Sequence, residues 1–346
     1  MANERRIPSL PRPRLRRTGR RPKQLVAPPA EPETPRVEEI TAEGLRWVKL
    51  DGAGPAEIAW LEQNFDFHAL DLEDVASRNQ RPKIDQYDEY LFIVLHFPVF
   101  DPSVGRLGTG ELDLFVGPGF VVTVLNQPLQ PVEYLFERCR SKEELRDQLF
   151  ARGAGYLLYR LVDDSFDYCF PMLRKIGNKL DALEDDIFAE TADKDLVRDI
   201  SNAKQEIINF RKVIRPQRPV LRDLEGVKGR YLAPEIDLEI YFDDIVDAHE
   251  RIWDMLENYK EVVEALEETN ESVIAHRFND ILRLLTVFSI VFLPATLVAS
   301  IWGMNVGLPG GGDPITSSTT MFWVLIAAMV GLMGGMLAWF RRRGWF

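Results

Sequence analysis

The sequence predicts an α/β soluble domain that one very long helix joins to two C-terminal membrane-spanning helices. Three observations predict this fold class. Uncharged runs of 19 and 20 residues lie at 284–302 and 321–340, and a helix needs about 20 apolar residues to cross a bilayer core. No Gly or Pro lies between Pro234 and Pro294. Upstream, β-branched and aromatic segments precede helical patterns, as in a mixed α/β fold.

Residues 1–36 predict a disordered basic tail. They contain ten Lys or Arg, three Glu and eight of the 22 prolines, so their net charge is +7. A segment of this composition cannot bury enough apolar surface to fold, and no apolar core follows its arginines as in a signal peptide. The tail is either solvated without a specific partner or touches anionic lipid or nucleic acid.

The rest of the chain is acidic, which favours cations as partners. The total charge is −12 and the tail carries +7, so residues 37–346 carry −19. A charge of this sign repels nucleic acid and attracts cations, and no nucleic-acid partner is expected. Cys139 and Cys169 lack metal-site spacing, which predicts reduced thiols in the core.

Residues 37–130 predict a cytoplasmic α/β subdomain. The segments 90–100 (YLFIVLHFPVF) and 119–127 (GFVVTVLNQ) are rich in β-branched and aromatic residues and end in turn formers. Residues 111–115 alternate between charged and apolar side chains, as strands do. The segments 56–65 and 69–77 predict two short helices.

Residues 131–234 predict a helical subdomain, and a long helix follows it at 235–304. The segments 156–188 and 196–214 place apolar residues at spacings of three and four. The stretch without Gly or Pro predicts one unbroken helix of about 90 Å that enters the membrane. Its first half is strongly acidic, which is typical either of a solvated face or of a path for cations.

The first span is predicted at about 284–304 and the second at 321–340, with an outer loop at 305–320. Two buried core helices are the alternative interpretation, but core helices are usually shorter and carry a polar face. The predicted location is therefore a cell membrane, with lipid around both helices.

Basic residues predict the orientation of the two spans. The loop between them has no Lys or Arg, whereas basic residues flank the other ends: Arg277, Arg283, Arg341, Arg342 and Arg343. Short basic flanks stay on the cytoplasmic side. Both termini, including the basic tail 341–346, are thus expected in the cytoplasm.

One face of the helix that enters the first span carries a seam with steps of three and four. Five of its seven members are polar: Asn279, Leu282, Thr286, Ser289, Leu293, Thr296 and Ser300. A polar stripe that faces lipid is unfavourable. The seam therefore either packs against a partner helix through its hydroxyl groups or lines a water-filled pore. Two spans cannot enclose a pore, so the second interpretation requires an oligomer.

Gly303, Met304 and Asn305 follow the seam directly. Gly303 lets backbones approach each other near an axis, and Asn305 offers a neutral amide oxygen. Mg²⁺ is usually held through its bound waters. A binding site in a transport pathway must also release the ion. A ring of amides, one from each subunit, therefore suits a hydrated divalent cation, whereas a ring of carboxylates would hold it too tightly.

At these residues the sequence resembles the CorA divalent-cation transporter family. The segment IWGMN ends the first of two C-terminal spans, and the basic tail reads RRRGWF. The resemblance covers roughly residues 45–346, and it extends to three upstream segments: LEDVASRNQRPKIDQYDEYLFIVL (72–95), YLLYRLVD (156–163) and YFDDIVDAHERI (241–252).

The resemblance implies a homopentameric channel with a funnel-shaped cytoplasmic domain and a pore lined by the first span. It places Asn305 in a selectivity ring formed by the Gly-Met-Asn loops. It also matches two sets of residues to roles. Asn279, Leu282, Leu293 and Thr296 correspond to pore-lining or gate residues. The acidic positions that bind regulatory Mg²⁺ between subunits correspond to Glu73, Asp74, Asp163 and Asp244.

The loop after Asn305 departs from the magnesium carriers of the family. Those usually have an acidic residue several positions later in an aromatic-flanked loop, whereas this loop reads VGLPGGGDP and its only acid is Asp313. The loop looks more like the zinc-transporting ZntB branch, while Met304 favours the magnesium branch. The resemblance thus predicts transport of Mg²⁺, with Co²⁺ or Ni²⁺ as further cations and Zn²⁺ as the alternative.

Two other classes of function compete with transport. A membrane-anchored enzyme would need a nucleophile elbow, a phosphate-binding glycine motif or a Cys/His metal cluster, and the sequence has none, so no enzyme is predicted. A membrane-tethered, cation-sensing scaffold without transport would not need Thr286, Ser289, Thr296 and Ser300 on one face of its helix.

Overall fold

The computed structural model describes residues 34–77, 80–101, 105–189, 195–226, 238–303 and 319–345. The tail predicted at 1–36 lies outside these ranges up to Glu33. The predicted outer loop lies outside them up to Ser318.

A mixed sheet forms the centre of the soluble part, and its strand order is β1-β2-β6-β5-β4-β3. In the described ranges its strands are β1 (Val37–Ala42), β2 (Leu45–Asp51), β3 (Lys83–Gln86), β4 (Leu91–Asp101), β5 (Arg106–Gly117) and β6 (Phe120–Leu125). Neighbouring strands are antiparallel except β2 and β6, which are parallel. The three strands predicted from composition are β4, β5 and β6, while β1, β2 and β3 were not predicted individually.

Helices cover both faces of this sheet. The described α-helices are α1 (Pro55–Asn64), α2 (Ala69–Ser77), α3 (Gln130–Ser141), α4 (Glu143–Phe150), α5 (Ala154–Asp167), α6 (Cys169–Phe188), α7 (Leu196–Ile214), α8 (Arg218–Glu225), α9 (Leu238–Trp302) and α10 (Thr319–Arg342). A short 3₁₀ turn, Arg215–Gln217, joins α7 to α8.

Alternating strand residues divide the core into two clusters. On β4, Phe92 and Val94 pack with Leu61 and Val75 of α1 and α2. The β4 residues that alternate with Phe92 and Val94 face the larger cluster, which includes residues of helices α3 to α9 and both cysteines. Successive side chains of a strand point to opposite faces, so one strand serves both layers. Cys139 and Cys169 are buried and free, as predicted.

The helical segment predicted at 156–188 is two helices rather than one. Helix α5 ends at Asp167, and α6 begins at Cys169. Pro171 explains the break, because proline has no N–H to donate to the carbonyl of Asp167 and its ring crowds that carbonyl. The division at residue 130 into two subdomains stays a prediction.

The long helix is present as predicted. Helix α9 has 65 residues without interruption and contains Pro294 near its end, which corresponds to roughly 100 Å. Its first half packs on the soluble part through residues such as Phe242, Ile252 and Val263. The same helix thus connects the soluble part to the predicted first span without a break.

Asp113 on β5 is a carboxyl group buried unfavourably in the core. Its side chain is 1% exposed, and neither carboxylate oxygen has a hydrogen-bond partner in the described residues. Burial raises the pKa of Asp113 well above its usual range, and the neighbouring Glu111 adds to the rise. In the unfolded chain the carboxyl returns to its ordinary pKa, so the native state binds more protons and its stability falls as the pH rises through that window.

We therefore expect Asp113→Asn to stabilise the protein at pH 7.5 by about 1–3 kcal/mol, because asparagine is buried without a charge and each unit of a raised pKa corresponds to about 1.4 kcal/mol. The gain should vanish near pH 3, about one unit below the ordinary pKa of an aspartate, because the carboxyl is then protonated in both states. Thermal unfolding at the two pH values measures the difference, with Asp88→Asn on the exposed surface as the matched control. An equal gain at both pH values would contradict this explanation.

Candidate ion pathway and cation-sensing residues

Helices α9 and α10 are each long and apolar enough to cross a membrane. Windows of 18 residues within them reach mean hydropathies of 2.3 and 2.0. The observed ends, Trp302 for α9 and Thr319–Arg342 for α10, lie close to those predicted. Met304 and Asn305 lie outside the described residues.

Helix α10 packs on one face of α9. Val287, Val291 and Phe340 form a small buried cluster there, with Met333 and Met336 at its edge. Ala295 is buried as well. The spacing of four between Val287, Val291 and Ala295 places them on one side of the helix. This side is apolar and belongs to the contact within one chain.

The polar seam lies on the opposite side of α9. A helix turns by about 100° per residue, which puts the centre of the seam roughly 180° from the face that contacts α10. Every member of the seam is exposed in the single chain: Asn279, Leu282, Thr286, Ser289, Leu293, Thr296 and Ser300. The second helix of the same chain is therefore not the partner of the seam. A partner helix from another chain and a water-filled pore stay as the two interpretations.

Hydroxyl groups of the seam are anchored to their own helix. Thr286 donates to the carbonyl of Leu282 at 2.7 Å, Ser289 to Leu285 at 2.9 Å, and Thr296 to Phe292 at 2.9 Å. In these three residues the hydroxyl proton is used by the helix, and the lone pairs of the hydroxyl oxygen remain available as acceptors. Such oxygens can accept hydrogen bonds from water, including the waters around a hydrated cation.

The end of α9 has a tight backbone. The N–H of Gly303 donates to the carbonyl of Ala299 at 2.9 Å, and a Cβ added at Gly303 would lie 3.3 Å from that carbonyl oxygen. A larger side chain would have to push against the last turn of the helix. Glycine therefore suits the position directly after the seam.

The basic flanks of the two spans come together in the structure. The guanidinium of Arg283 lies 5.9 Å from the centre of the Trp345 ring. The guanidinium of Arg343 lies 5.3 Å from the centre of the Trp339 ring. Aromatic rings beside cationic groups are typical of the membrane–water interface. The start of the first span and the end of the second are thus at the same level.

The predicted cation-sensing carboxylates occupy two places in a chain. Glu73 and Asp74 are in α2, as predicted, with Glu73 exposed and Asp74 half-buried. The Nζ of Lys83 lies 2.6 Å from Oδ2 of Asp74 and 2.5 Å from Oδ2 of Asp85. Asp74 therefore already has a cationic partner in its own chain.

Asp163 and Asp244 form the second place, in α5 and near the start of α9. The hydroxyl of Tyr159 lies 3.5 Å from Oδ2 of Asp244, and Arg160 pairs with Asp163 at 2.9 Å. Burial raises the pKa of Asp163 to about 6, with the negative charge of Asp167 as the next cause. The charge at this place is only partly compensated by Arg160.

These carboxylates do not form a complete metal site in one chain. In the part of the chain that the structure describes, no group of three or more His, Cys, Asp or Glu side chains is arranged to hold a metal ion. Within one chain, the two places therefore do not combine into a site with three or more such ligands.

The match to a family model decides the class of the protein. Residues 42–342 match the CorA-like Mg²⁺ transporter protein family. The chain belongs to this family. It is thus a member of a family of transporters rather than of enzymes, which agrees with the two spans and the seam.

The chain is similar to members of the CorA-like family that are named for different ions. It is 29% identical over 262 residues to the cobalt/magnesium transport protein CorA of Thermotoga maritima, covering 75% of this chain and 72% of that protein. It is 19% identical over 307 residues to the zinc transport protein ZntB of Pectobacterium atrosepticum, covering 88% and 89%. Both relatives carry divalent metals in their names, and they differ in the ion.

A solved structure shows the same fold. The CorA magnesium transporter of Methanocaldococcus jannaschii superposes with a TM-score of 0.76 at 22% identity, over 89% of this chain and 94% of that one. The α/β soluble domain, the long helix and the two C-terminal helices are therefore the architecture of a known CorA structure.

Two basic residues beside the carboxylates were not predicted from the sequence of this CorA-like chain. Arg160 precedes Asp163 and Asp164 by three and four positions, a spacing that indicates ion pairs on a helix and that would have revealed it. Lys83 is nine positions from Asp74 in a different element, so no local pattern connects them. Only the contact between β3 and α2 shows that pair.

Proposed function

We propose that this protein is a channel-like transporter of divalent cations, with Mg²⁺ as the main ion and Co²⁺ or Ni²⁺ as further cations. The carrying observation is the polar seam of α9, which lies opposite α10 and stays exposed in the single chain. Polar groups on a membrane helix need water or other polar groups beside them. The seam therefore lines an aqueous pathway formed by several chains.

The oligomer in this proposal is a homopentamer in a cell membrane. Two helices per chain cannot surround a pore, and the seam gives each copy of α9 one face to turn inward. The resemblance to CorA transporters supports five copies. The paired basic flanks around Arg283 and Arg343 support cytoplasmic termini, since such flanks stay on that side.

Selectivity in this proposal comes from Gly303, Met304 and Asn305 at the outer end of the seam. Asn305 supplies one amide oxygen per subunit, which contacts the waters of a hydrated ion. The same residues would serve a zinc transporter, which the match to a ZntB protein and the loop VGLPGGGDP favour. The identity of the ion is thus a second question, separate from the pathway.

Regulation in this proposal comes from Mg²⁺ bound between neighbouring subunits by Glu73, Asp74, Asp163 and Asp244. The donor set fits the ion, because Mg²⁺ prefers carboxylate and water oxygens and often takes only one or two carboxylates. Burial, followed by the negative charge of Asp167, raises the pKa of Asp163, and a bound cation would stabilise the charged form of this carboxylate. Ligand binding then favours the closed state.

Flux into liposomes that contain only this protein tests the proposal. Mg²⁺, Co²⁺, Ni²⁺ and Zn²⁺ should be compared at equal concentration, with and without a pH gradient. Uptake of Mg²⁺ above that of Zn²⁺ without a gradient is expected. Preferential Zn²⁺ uptake would favour the ZntB-like alternative, and no flux of any ion would favour a sensing scaffold without transport.

Leu282 and Leu293 are the two apolar members of the seam, and they suit a gate. A ring of leucine side chains can close a narrow pore by excluding water. We expect Leu293→Ser to raise the basal leak of Mg²⁺ several-fold in liposomes with high internal Mg²⁺. Leu284→Ser, on the side of α9 away from the seam, is the matched control. An unchanged leak in Leu293→Ser would mean that this leucine packs against a neighbour.

A further inference from the structure

Lys83 occupies the space between two carboxylates of its own chain. Its ammonium lies 2.6 Å from Asp74 and 2.5 Å from Asp85, and its side chain is 30% exposed. Both ion pairs raise the pKa of Lys83 against the opposing effect of burial, so the ammonium is charged at physiological pH. One of its two partners is a residue proposed to bind regulatory Mg²⁺.

The fold holds Lys83 at this place. Lys83 is the first residue of β3, where it pairs with Val94 of β4. Its ammonium lies 4.9 Å from the centre of the Phe92 ring, an attraction between a cation and an aromatic face. A side chain restrained in this way acts at a high effective concentration, as tethered ligands do.

The neighbouring carboxylate place has the same feature. Arg160 pairs with Asp163 at 2.9 Å and with Asp164 at 2.5 Å. Each half-buried carboxylate of the proposed sensor thus has a basic partner that also binds a second carboxylate. Asp244 contacts the hydroxyl of Tyr159 rather than a basic side chain.

We propose that Lys83 is a built-in competitor for the cation at Asp74 and sets the threshold of the sensor. The inference rests on the proposed role of Asp74 in binding regulatory Mg²⁺. Without a divalent cation the ammonium neutralises Asp74, and binding of the cation displaces it. Asp85 then keeps the displaced ammonium paired, so its charge is not left without a partner.

This arrangement discriminates by charge. A monovalent cation offers Asp74 no more charge than the ammonium that it would replace, and it lacks the tether. A divalent cation gains more from the carboxylate, because Coulomb energy scales with the product of the charges. Lys83 therefore protects the sensor from abundant monovalent cations and requires a higher Mg²⁺ concentration for closure.

The test measures Mg²⁺-dependent protection of the full-length protein from limited proteolysis in detergent micelles. Lys83→Met should lower the half-protecting Mg²⁺ concentration by about two- to fivefold, the range that partly exposed ion pairs supply. Lys204→Met is the matched control, because Lys204 pairs with Glu267 at 2.5 Å and is 35% exposed, away from the proposed ligands. Its threshold should equal that of the unaltered protein.

Two further variants keep the test decisive if Lys83→Met folds poorly. Asp85→Asn removes the second partner, so the ammonium should bind Asp74 more tightly and the half-protecting concentration should rise. Lys83→Arg keeps the charge and should leave the threshold within about twofold, since the remaining difference is one of ion-pair geometry. Thermal unfolding without Mg²⁺ identifies variants that are simply unstable.

The outcomes separate this inference from the proposed sensor. If Asp74→Asn raises the threshold while Lys83→Met leaves it unchanged or raises it, Asp74 binds the cation and Lys83 is not a competitor. If Asp74→Asn has no effect, the sensor role of Asp74 fails, and the role of Lys83 fails with it. In an Asp74→Asn background, Lys83→Met should lose most of its effect, because the two residues act on one site.

Discussion

Asn305→Ala is expected to reduce Mg²⁺ uptake by more than about tenfold while the oligomer stays intact. The residue lies two positions after Gly303, at the end of α9, and is outside the described residues. A hydrogen bond contributes about 1 kcal/mol net, and the substitution removes one amide from every subunit at the same time. In this variant, an ion that enters the mouth of the pore from bulk water would lose several amide contacts at once.

Uptake into liposomes and size-exclusion chromatography measure the two parts of this prediction. Asn64→Ala, which removes an exposed amide on α1, is the control for general effects of the substitution. Asn305→Gln provides a second comparison, because it keeps the amide but moves it outward by one methylene group. Normal uptake in Asn305→Ala with an intact oligomer would exclude the amide ring as the selectivity element.

Replacing Asp74 and Asp244 together with asparagine is expected to abolish control by internal Mg²⁺. Each residue belongs to a different place of the chain, so the double variant removes carboxylates from both sides of the proposed site between subunits. Asparagine keeps the shape but loses the charge that binds Mg²⁺. The Mg²⁺ concentration that protects the protein from proteolysis should rise by more than about tenfold, the loss that 1.4 kcal/mol produces.

Flux through this double variant should no longer fall as internal Mg²⁺ increases. Asp88→Asn with Asp254→Asn is the matched control, because both carboxylates are exposed and the net charge changes by the same amount. If the control shifts the threshold as much as the double variant does, the effect comes from the general acidity of the protein. Unchanged protection in both would leave Asp74 and Asp244 as surface charges.

Local patterns predicted the elements that local physics determines. In a membrane every backbone N–H and C=O must be satisfied within the segment, so an uncharged run of 20 residues indicates a helix whatever its neighbours are. The long helix α9 follows from the lack of Gly and Pro in the same way. The seam is also visible in the sequence, since it depends only on the period of the helix.

Other features were not predictable in this way. Strand β3 has only four residues, too few for an alternating pattern to stand out, and its place in the sheet depends on pairing with β4. The break between α5 and α6 was overlooked because the apolar spacing continues through it, although Pro171 marks it. The position of Asp113 in the core also depends on packing from both sides of the sheet.

The polar face of the first span follows from the residue pattern alone, whereas the face of α9 that α10 covers depends on tertiary packing. Periodicity fixes the angle between residues along one helix, but it contains no information on where a second helix packs. Val287, Val291 and Ala295 bind α10 because their apolar side chains allow close contact, which leaves the seam free. The pairing of Lys83 with Asp74 has the same origin, since two residues in separate elements meet only when the chain is folded.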